Sequence, residues 1–100
     1  MISRHWRGIA RFDEADNYIL HLQQETFPGL QQIDGFVSAS ILKRDLTEGV
    51  EFLIVTRWQS MAAIQKFAGK DVDIAVVPAV VQRMMIEFDS HVAHYEIVGP

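Results

Sequence analysis

Val50-Glu51-Phe52-Leu53-Ile54-Val55-Thr56-Arg57-Trp58 is the stretch that decides the fold. It is dense in β-branched and aromatic residues, which suit a pleated, buried strand. Side chains alternate along a strand, so Phe52, Ile54 and Trp58 face one way and Leu53 and Val55 the other. Both faces are therefore apolar. Just upstream, Thr47-Glu48-Gly49 reads as a turn, and Phe36 to Asp45 reads as the preceding strand, with Val37, Ala39 and Ile41 set against Phe36 and Leu42. A connection this short implies a hairpin. Downstream, Ser60 is a helix N-cap candidate, Met61, Ile64 and Phe67/Ala68 trace an apolar stripe, and Gly69 is a natural stop.

Toward the N-terminus, Asp34-Gly35 marks a turn before the hairpin. Ala15, Tyr18, Ile19 and Leu22 fall at i, i+3, i+4 and i+7, the stripe of an amphipathic helix, with Asp13 as its expected N-cap. Pro28-Gly29 should end or kink that helix. Ile2 to Ala10 reads as a strand with Arg4, Trp6 and Gly8 on one face. Toward the C-terminus, Ile74 to Ile86 is apolar but broken by Pro78. A short helical turn before the proline and an irregular or partly helical segment after it are expected. His91 to Val98 alternates as a last strand. The order β-α-β-β-α-β is the split βαβ, or ferredoxin-like, plan: an α+β domain over residues 1–100 with a four-stranded antiparallel sheet and two helices on one face.

Two helices cover only one face of such a sheet, and a free face should read polar. Here it does not, and 49% of the 100 residues are hydrophobic, so the surplus needs a cover. An apolar face of several hundred Å2 is roughly the most that a monomer exposes. At about 25 cal/mol per Å2, covering it contributes roughly 10 kcal/mol before association costs. A homodimer, sheet against sheet, is the expected solution. The net charge of −4, with nine scattered Lys and Arg, gives no nucleic-acid footprint. The chain has no cysteine, which excludes disulfides and thiolate chemistry, and no apolar run of membrane-spanning length. A cytoplasmic setting is expected.

The hairpin region carries a resemblance. EFLIVTRWQS, Glu51 to Ser60, followed by MAAIQKFAG, Met61 to Gly69, resembles the strand-Trp-x-Ser-helix segment of antibiotic-biosynthesis-monooxygenase-like proteins. His94-Tyr95-Glu96-Ile97-Val98 resembles their last strand, and Arg4 to Gly8 the first strand of a poorly characterised subgroup. The resemblance implies a dimeric α+β barrel with a small pocket between helices and sheet in each protomer. It implies activities such as cofactor-free oxygenation of polycyclic quinol-type substrates or haem degradation. The haem-degrading branch uses an Asn, a Trp and a His ligand. Aligned without gaps, those positions fall on Trp6, Phe67 and Val77, and valine cannot bind iron. Haem degradation of that kind is not expected.

Among chemistry-bearing residues, His94 is the candidate catalytic group, because a near-neutral histidine suits proton abstraction from an acidic phenol. Arg4, Trp6, Phe67 and Val77 are the candidate pocket residues. Aromatic walls suit a planar substrate, and Arg4 could hold a carboxylate, phenolate or oxyanion. The plainer readings are packing for Trp6 and Trp58, a solvated rim position for Arg4, and locally bonded strand histidines. His94 and Glu96 share a face, and adding His5 would make a two-His-one-carboxylate iron site, but nothing places His5 beside them. No metal site and no bound cofactor are expected. His21 reads as a surface residue, and Asp71 and Asp73 as capping or solvated. No phosphate loop, nucleophile elbow or zinc motif occurs. The expectation is a small cofactor-independent monooxygenase acting on an apolar, aromatic small molecule. The rival is a non-catalytic ligand-binding or purely structural dimer of the same fold.

Overall fold

The computed structural model describes residues Met1–Pro100. In chain order the elements are β1 (Ile2–Ala10), a 3-10 turn (Phe12–Glu14), α1 (Ala15–His21), a π turn (Leu22–Thr26), α2 (Phe27–Leu30), β2 (Phe36–Asp45), β3 (Val50–Trp58), α3 (Met61–Ala68), α4 (Ala79–Met84), β4 (Met85–Phe88) and β5 (Ala93–Glu96). The sheet order is β2-β3-β1-β4, with β5 also on β1 and every pairing antiparallel. This is the ferredoxin-like arrangement. Its fourth position is shared by two short strands. Gly8 pairs with Phe88 and His5 with Ala93, so the outer chain spends two extra residues at the break between them. β4 is a strand that the sequence reading did not foresee.

Alternation along the paired strands sorts the faces. Arg4 lies opposite Thr56, Trp6 opposite Ile54 and Gly8 opposite Phe52, all beneath the helices. Gly8 is required there, because a Cβ would come within 2.6 Å of the Trp6 ring. One core gathers around Phe52, with Ala10, Tyr18, Leu22, Ile54, Val81 and Met85. A second surrounds Trp58, with Leu30, Ala63 and Ile64. Trp58 is fully buried, and its indole N–H donates to the Thr56 hydroxyl at 2.9 Å. In α3 the Ser60 hydroxyl accepts from the Ala63 amide at 3.2 Å, the expected cap.

Three local expectations need correction, and a fourth is narrowed. Asp13 caps nothing: it lies inside the 3-10 turn, whose own N-cap position is Arg11, and α1 begins without a side-chain cap. The Arg11 amide is tied to the Met84 carbonyl at 3.0 Å, so the chain makes an extra turn before α1. Of the two outcomes expected at Pro28, an end or a kink, the helix does not end there. Proline has no N–H to donate, and the π turn before it absorbs the gap, with the Phe27 amide reaching back to the Leu22 carbonyl. Helix precedes Pro78 nowhere in its segment; α4 follows it, with the Pro78 carbonyl accepting from the Val81 and Gln82 amides. A residue before proline is disfavoured in the α region, whereas proline just outside a helix start loses nothing. Finally, a bulge between Phe36 and Ser38 puts Phe36 on the same face as Ile41, edge-on to Trp58 at 5.2 Å.

The open sheet face is mixed rather than uniformly apolar. Ile9, Leu53, Val55 and Leu42 share it with Ser3, His5, Arg7, Glu51 and Arg57. Glu51 accepts from Arg7 at 2.6 Å and also from Arg44, tying three strands together. Leu42, Ile86 and Tyr95 are exposed there. No helix is long and apolar enough to cross a membrane.

Candidate functional site

Between the helical layer and the sheet lies a cavity of about 80 Å3, walled mainly by apolar side chains. β1 supplies Arg4 and Trp6, and β3 supplies Ile54 and Thr56. The α1 stripe and the π turn supply Tyr18 and Leu22, and α3 supplies Phe67. Val77 and Pro78 close it from the segment before α4. The four residues expected to share a pocket, Arg4, Trp6, Phe67 and Val77, thus stand on one wall system. The cavity adjoins a shallower depression of about 420 Å3. They share Thr26, Leu30, Phe67, Val76 and Pro78, and the depression also carries His21, Glu25 and Lys66.

Arg4 is the cavity's only cationic lining residue, and it is 4% exposed. Its Nη1 donates to the Val72 carbonyl at 2.5 Å and to His94 Nε2 at 2.9 Å, and its Nη2 to the Ile74 carbonyl at 3.2 Å. Phe67 presents its ring 5.8 Å from the guanidinium carbon. Arg4 makes no salt bridge. Burial lowers its pKa, and the charge of Asp73 partly restores it. An arginine in a protein stays charged, so the wall carries a buried cation held by carbonyls and an imidazole alone.

His94 is not in the cavity lining. It stands behind Arg4. A guanidinium only donates, so Nε2 accepts, the proton sits on Nδ1, and Nδ1–H donates to Asp73 Oδ1 at 3.2 Å. Burial, then the Arg4 charge, lowers the His94 pKa, opposed by Asp73. Both ring nitrogens are engaged, so the imidazole has no lone pair free to take a substrate proton. The structure thus sets His94, the expected acting base, behind Arg4 rather than in the cavity lining. His5 lies on the opposite sheet face, bonded to Ser3 at 2.7 Å and beside Tyr95, so no iron site joins it to His94. No three His, Asp or Glu side chains converge on a possible metal position.

Trp6 is fixed by its indole N–H, which donates to the Asp89 carbonyl at 2.9 Å, and it packs near Tyr18 and Phe88. Tyr18 is 3% exposed and edge-on to Phe52 at 4.9 Å, and burial pushes its phenol pKa far above the usual range. It stays neutral and can only donate or accept a hydrogen bond. Its hydroxyl has no partner in the protein, yet no buried polar side-chain atom is sealed without one, so the hydroxyl meets open space.

The antibiotic biosynthesis monooxygenase family model matches residues 5–72, about two-thirds of the chain. This chain belongs to that family. Comparison with curated proteins returns no significant sequence match. Among solved structures it is similar to SnoaB, a cofactor-independent oxygenase from Streptomyces nogalater, at 13% identity and TM-score 0.66, covering 99% of this chain and 94% of that one. It is also similar to a Streptomyces coelicolor monooxygenase in complex with nanaomycin D, at 11% identity and TM-score 0.67, covering 99% and 88%. A third structure, an antibiotic biosynthesis monooxygenase, gives 16% and 0.68, covering 99% and 100%. At such identities these likenesses establish the fold.

For a family member with this cavity, haem does not fit. Val77 offers no ligand, His94 is turned to Arg4 and Asp73, and the space is far below a haem's size. Sequence reasoning missed Tyr18, Thr26 and Thr56 as lining residues and Asp73 as the partner of His94. Tyr18 could have been flagged, because a tyrosine inside an apolar stripe must find a place for its hydroxyl. Nothing local pairs Asp73 with His94.

Proposed function

We propose that the chain is a small monooxygenase-like catalyst that binds an aromatic, largely apolar small molecule in the helix–sheet cavity and needs no tightly bound cofactor. The observation that carries this is the aromatic wall of Trp6, Tyr18 and Phe67 with one buried guanidinium that has no salt-bridge partner, Arg4, in a chain of this family. A cation in low dielectric favours the phenolate or enolate form of a bound substrate. Such an anion is electron-rich enough to react with oxygen directly. One oxygen atom stays on the substrate, and the other leaves as water with two hydrogens that the substrate gives up. His94 acts through Arg4 as a positioning residue, with Asp73 fixing its tautomer.

The working form is a cytoplasmic homodimer packed through the open sheet face, where Leu42, Ile86 and Tyr95 are exposed beside the Arg7–Glu51–Arg44 network. The cysteine-free composition suits that setting.

A second reading is a binder that holds the same class of ligand without turning it over. It is favoured by the engagement of both His94 nitrogens. Oxygen uptake separates the two. With a panel of one-ring and fused-ring quinols, catalysis predicts one O2 consumed per substrate oxidised, at a rate at least tenfold lower in Arg4→Gln. Binding shown by calorimetry with no uptake across the panel would leave the binder.

A further inference from the structure

The cavity is small, charged at one wall and supplied with a lone hydroxyl at another. At roughly 10–15 Å3 per water-sized occupant, about 80 Å3 holds about five to eight, which takes the six carbons of one ring, with its substituents reaching the polar groups of the walls, and not the ten of two fused rings. That is well below the roughly 300–1,000 Å3 of sites for larger ligands. Arg4 carries five N–H donors, of which three are used by the Val72 and Ile74 carbonyls and His94 Nε2. Nε–H and one Nη2–H remain, and Nε, which has no partner in the protein, is not sealed from open space. A buried cation without a carboxylate partner is costly, and an anionic ligand removes that cost. Paired N–H groups of one guanidinium match the two oxygens of a carboxylate. Tyr18 belongs to the same lining, keeps its proton at any ordinary pH, and has no partner for its hydroxyl. Trp6 belongs to the same lining, on the same face of β1 as Arg4 and 6.2 Å from the Tyr18 ring, as a flat wall for a planar body.

We propose that the ligand of this cavity is a monocyclic aromatic acid, with its carboxylate on Arg4 and a second, uncharged oxygen accepting from the Tyr18 hydroxyl. The proposal rests on the reading of the cavity as the substrate site and names the substrate class. It departs from fused-ring substrates because the space beside Arg4, Trp6 and Tyr18 takes one ring.

The test uses the full-length wild-type chain and three probes, by calorimetry: 4-hydroxybenzoate, 4-hydroxybenzamide, which lacks the charge, and benzoate, which lacks the second oxygen. The expected order is hydroxybenzoate tightest, the amide weaker by roughly tenfold to a hundredfold, and benzoate weaker by roughly threefold to tenfold. Arg4→Gln should bring acid and amide together. Tyr18→Phe should erase the difference between hydroxybenzoate and benzoate while leaving the unfolding midpoint unchanged, because the hydroxyl bonds to nothing in the protein. Should Arg4→Gln fail to fold, the wild-type comparison of acid with amide decides. Equal affinity for acid and amide, no binding of either, or a folded Tyr18→Phe chain that still prefers hydroxybenzoate overturns the proposal. Oxygen uptake from neutral quinols with no preference for acids would sink this proposal and leave the catalytic reading standing. Tight binding of the acid without uptake would do the reverse.

Discussion

Arg4 is expensive where it sits, and its neighbours show how the cost is contained. Carbonyls of Val72 and Ile74 and the Nε2 of His94 replace the water that burial removed. His94 can serve only while neutral, since a proton on Nε2 would oppose the guanidinium. Its folded pKa is lowered by burial first and by Arg4 second. A lowered histidine pKa means that the folded chain binds fewer protons than the unfolded one. Its stabilising share is therefore complete above the unfolded value near 6.5 and is lost as pH falls through the folded value. His5 is shifted the same way, by burial and then Arg57. Both imidazoles should titrate below about 6.5 by NMR, and His94→Gln should flatten the loss of stability between pH ~7 and ~5. A His94 midpoint above the free-histidine value would contradict the Arg4 contact. Gly8 gives a second prediction at this scale. Gly8→Ala places a methyl against the Trp6 ring, so the indole must move off its Asp89 carbonyl, and ligand affinity should fall at least threefold.

At the scale of elements, α3 and the three strands β1, β2 and β3 are each held by a side chain that can be removed alone. Ser60→Ala deletes the α3 cap and should lower unfolding free energy by about 1 kcal/mol, measured by urea denaturation. Glu51 fastens β1, β2 and β3 on the open face. Hydrogen bonds from Arg44, then from Arg7, hold its carboxyl pKa below the usual range. Its contribution is complete above the unfolded carboxyl value of about 4.3 and is lost as pH falls through the folded value. Glu51→Gln should therefore remove part of the acid limb of a plot of unfolding midpoint against pH; an unchanged limb would count against the network. The π turn before Pro28 and the two-residue break between β4 and β5 are devices of another kind. Each absorbs a local mismatch so that the surrounding ladder survives.

The whole molecule has one sheet and one helical layer, and the sheet's other face carries no helix. That face is less apolar than strand alternation alone suggests, because arginines and Glu51 alternate with Leu53, Val55 and Ile9. The proposed dimer would then be held by an apolar patch with charged surroundings, an ordinary composition for an interface. Sedimentation at micromolar concentration should give twice the chain mass. Leu53→Asp should shift the chain toward monomer while leaving its far-ultraviolet circular dichroism intact. A wild-type chain that sediments as a single copy would end the dimer reading.

The sequence by itself determined the α+β order, the hairpin of residues 36–58, the Ser60 cap, and the shared face of Arg4 and Trp6. These follow from period-two and period-3.6 patterns and from turn chemistry, which act between near neighbours. It misjudged Asp13 and the register of Phe36, where a long-range backbone bond or a bulge overrides the local pattern, and the turn before Pro78, where proline disfavours helix in the residue ahead of it. Only the tertiary structure decided what surrounds the guanidinium. Its partners Val72, Ile74 and His94 lie 68 to 90 residues away along the chain, and a periodicity read over a few residues carries no information about contacts made at that separation.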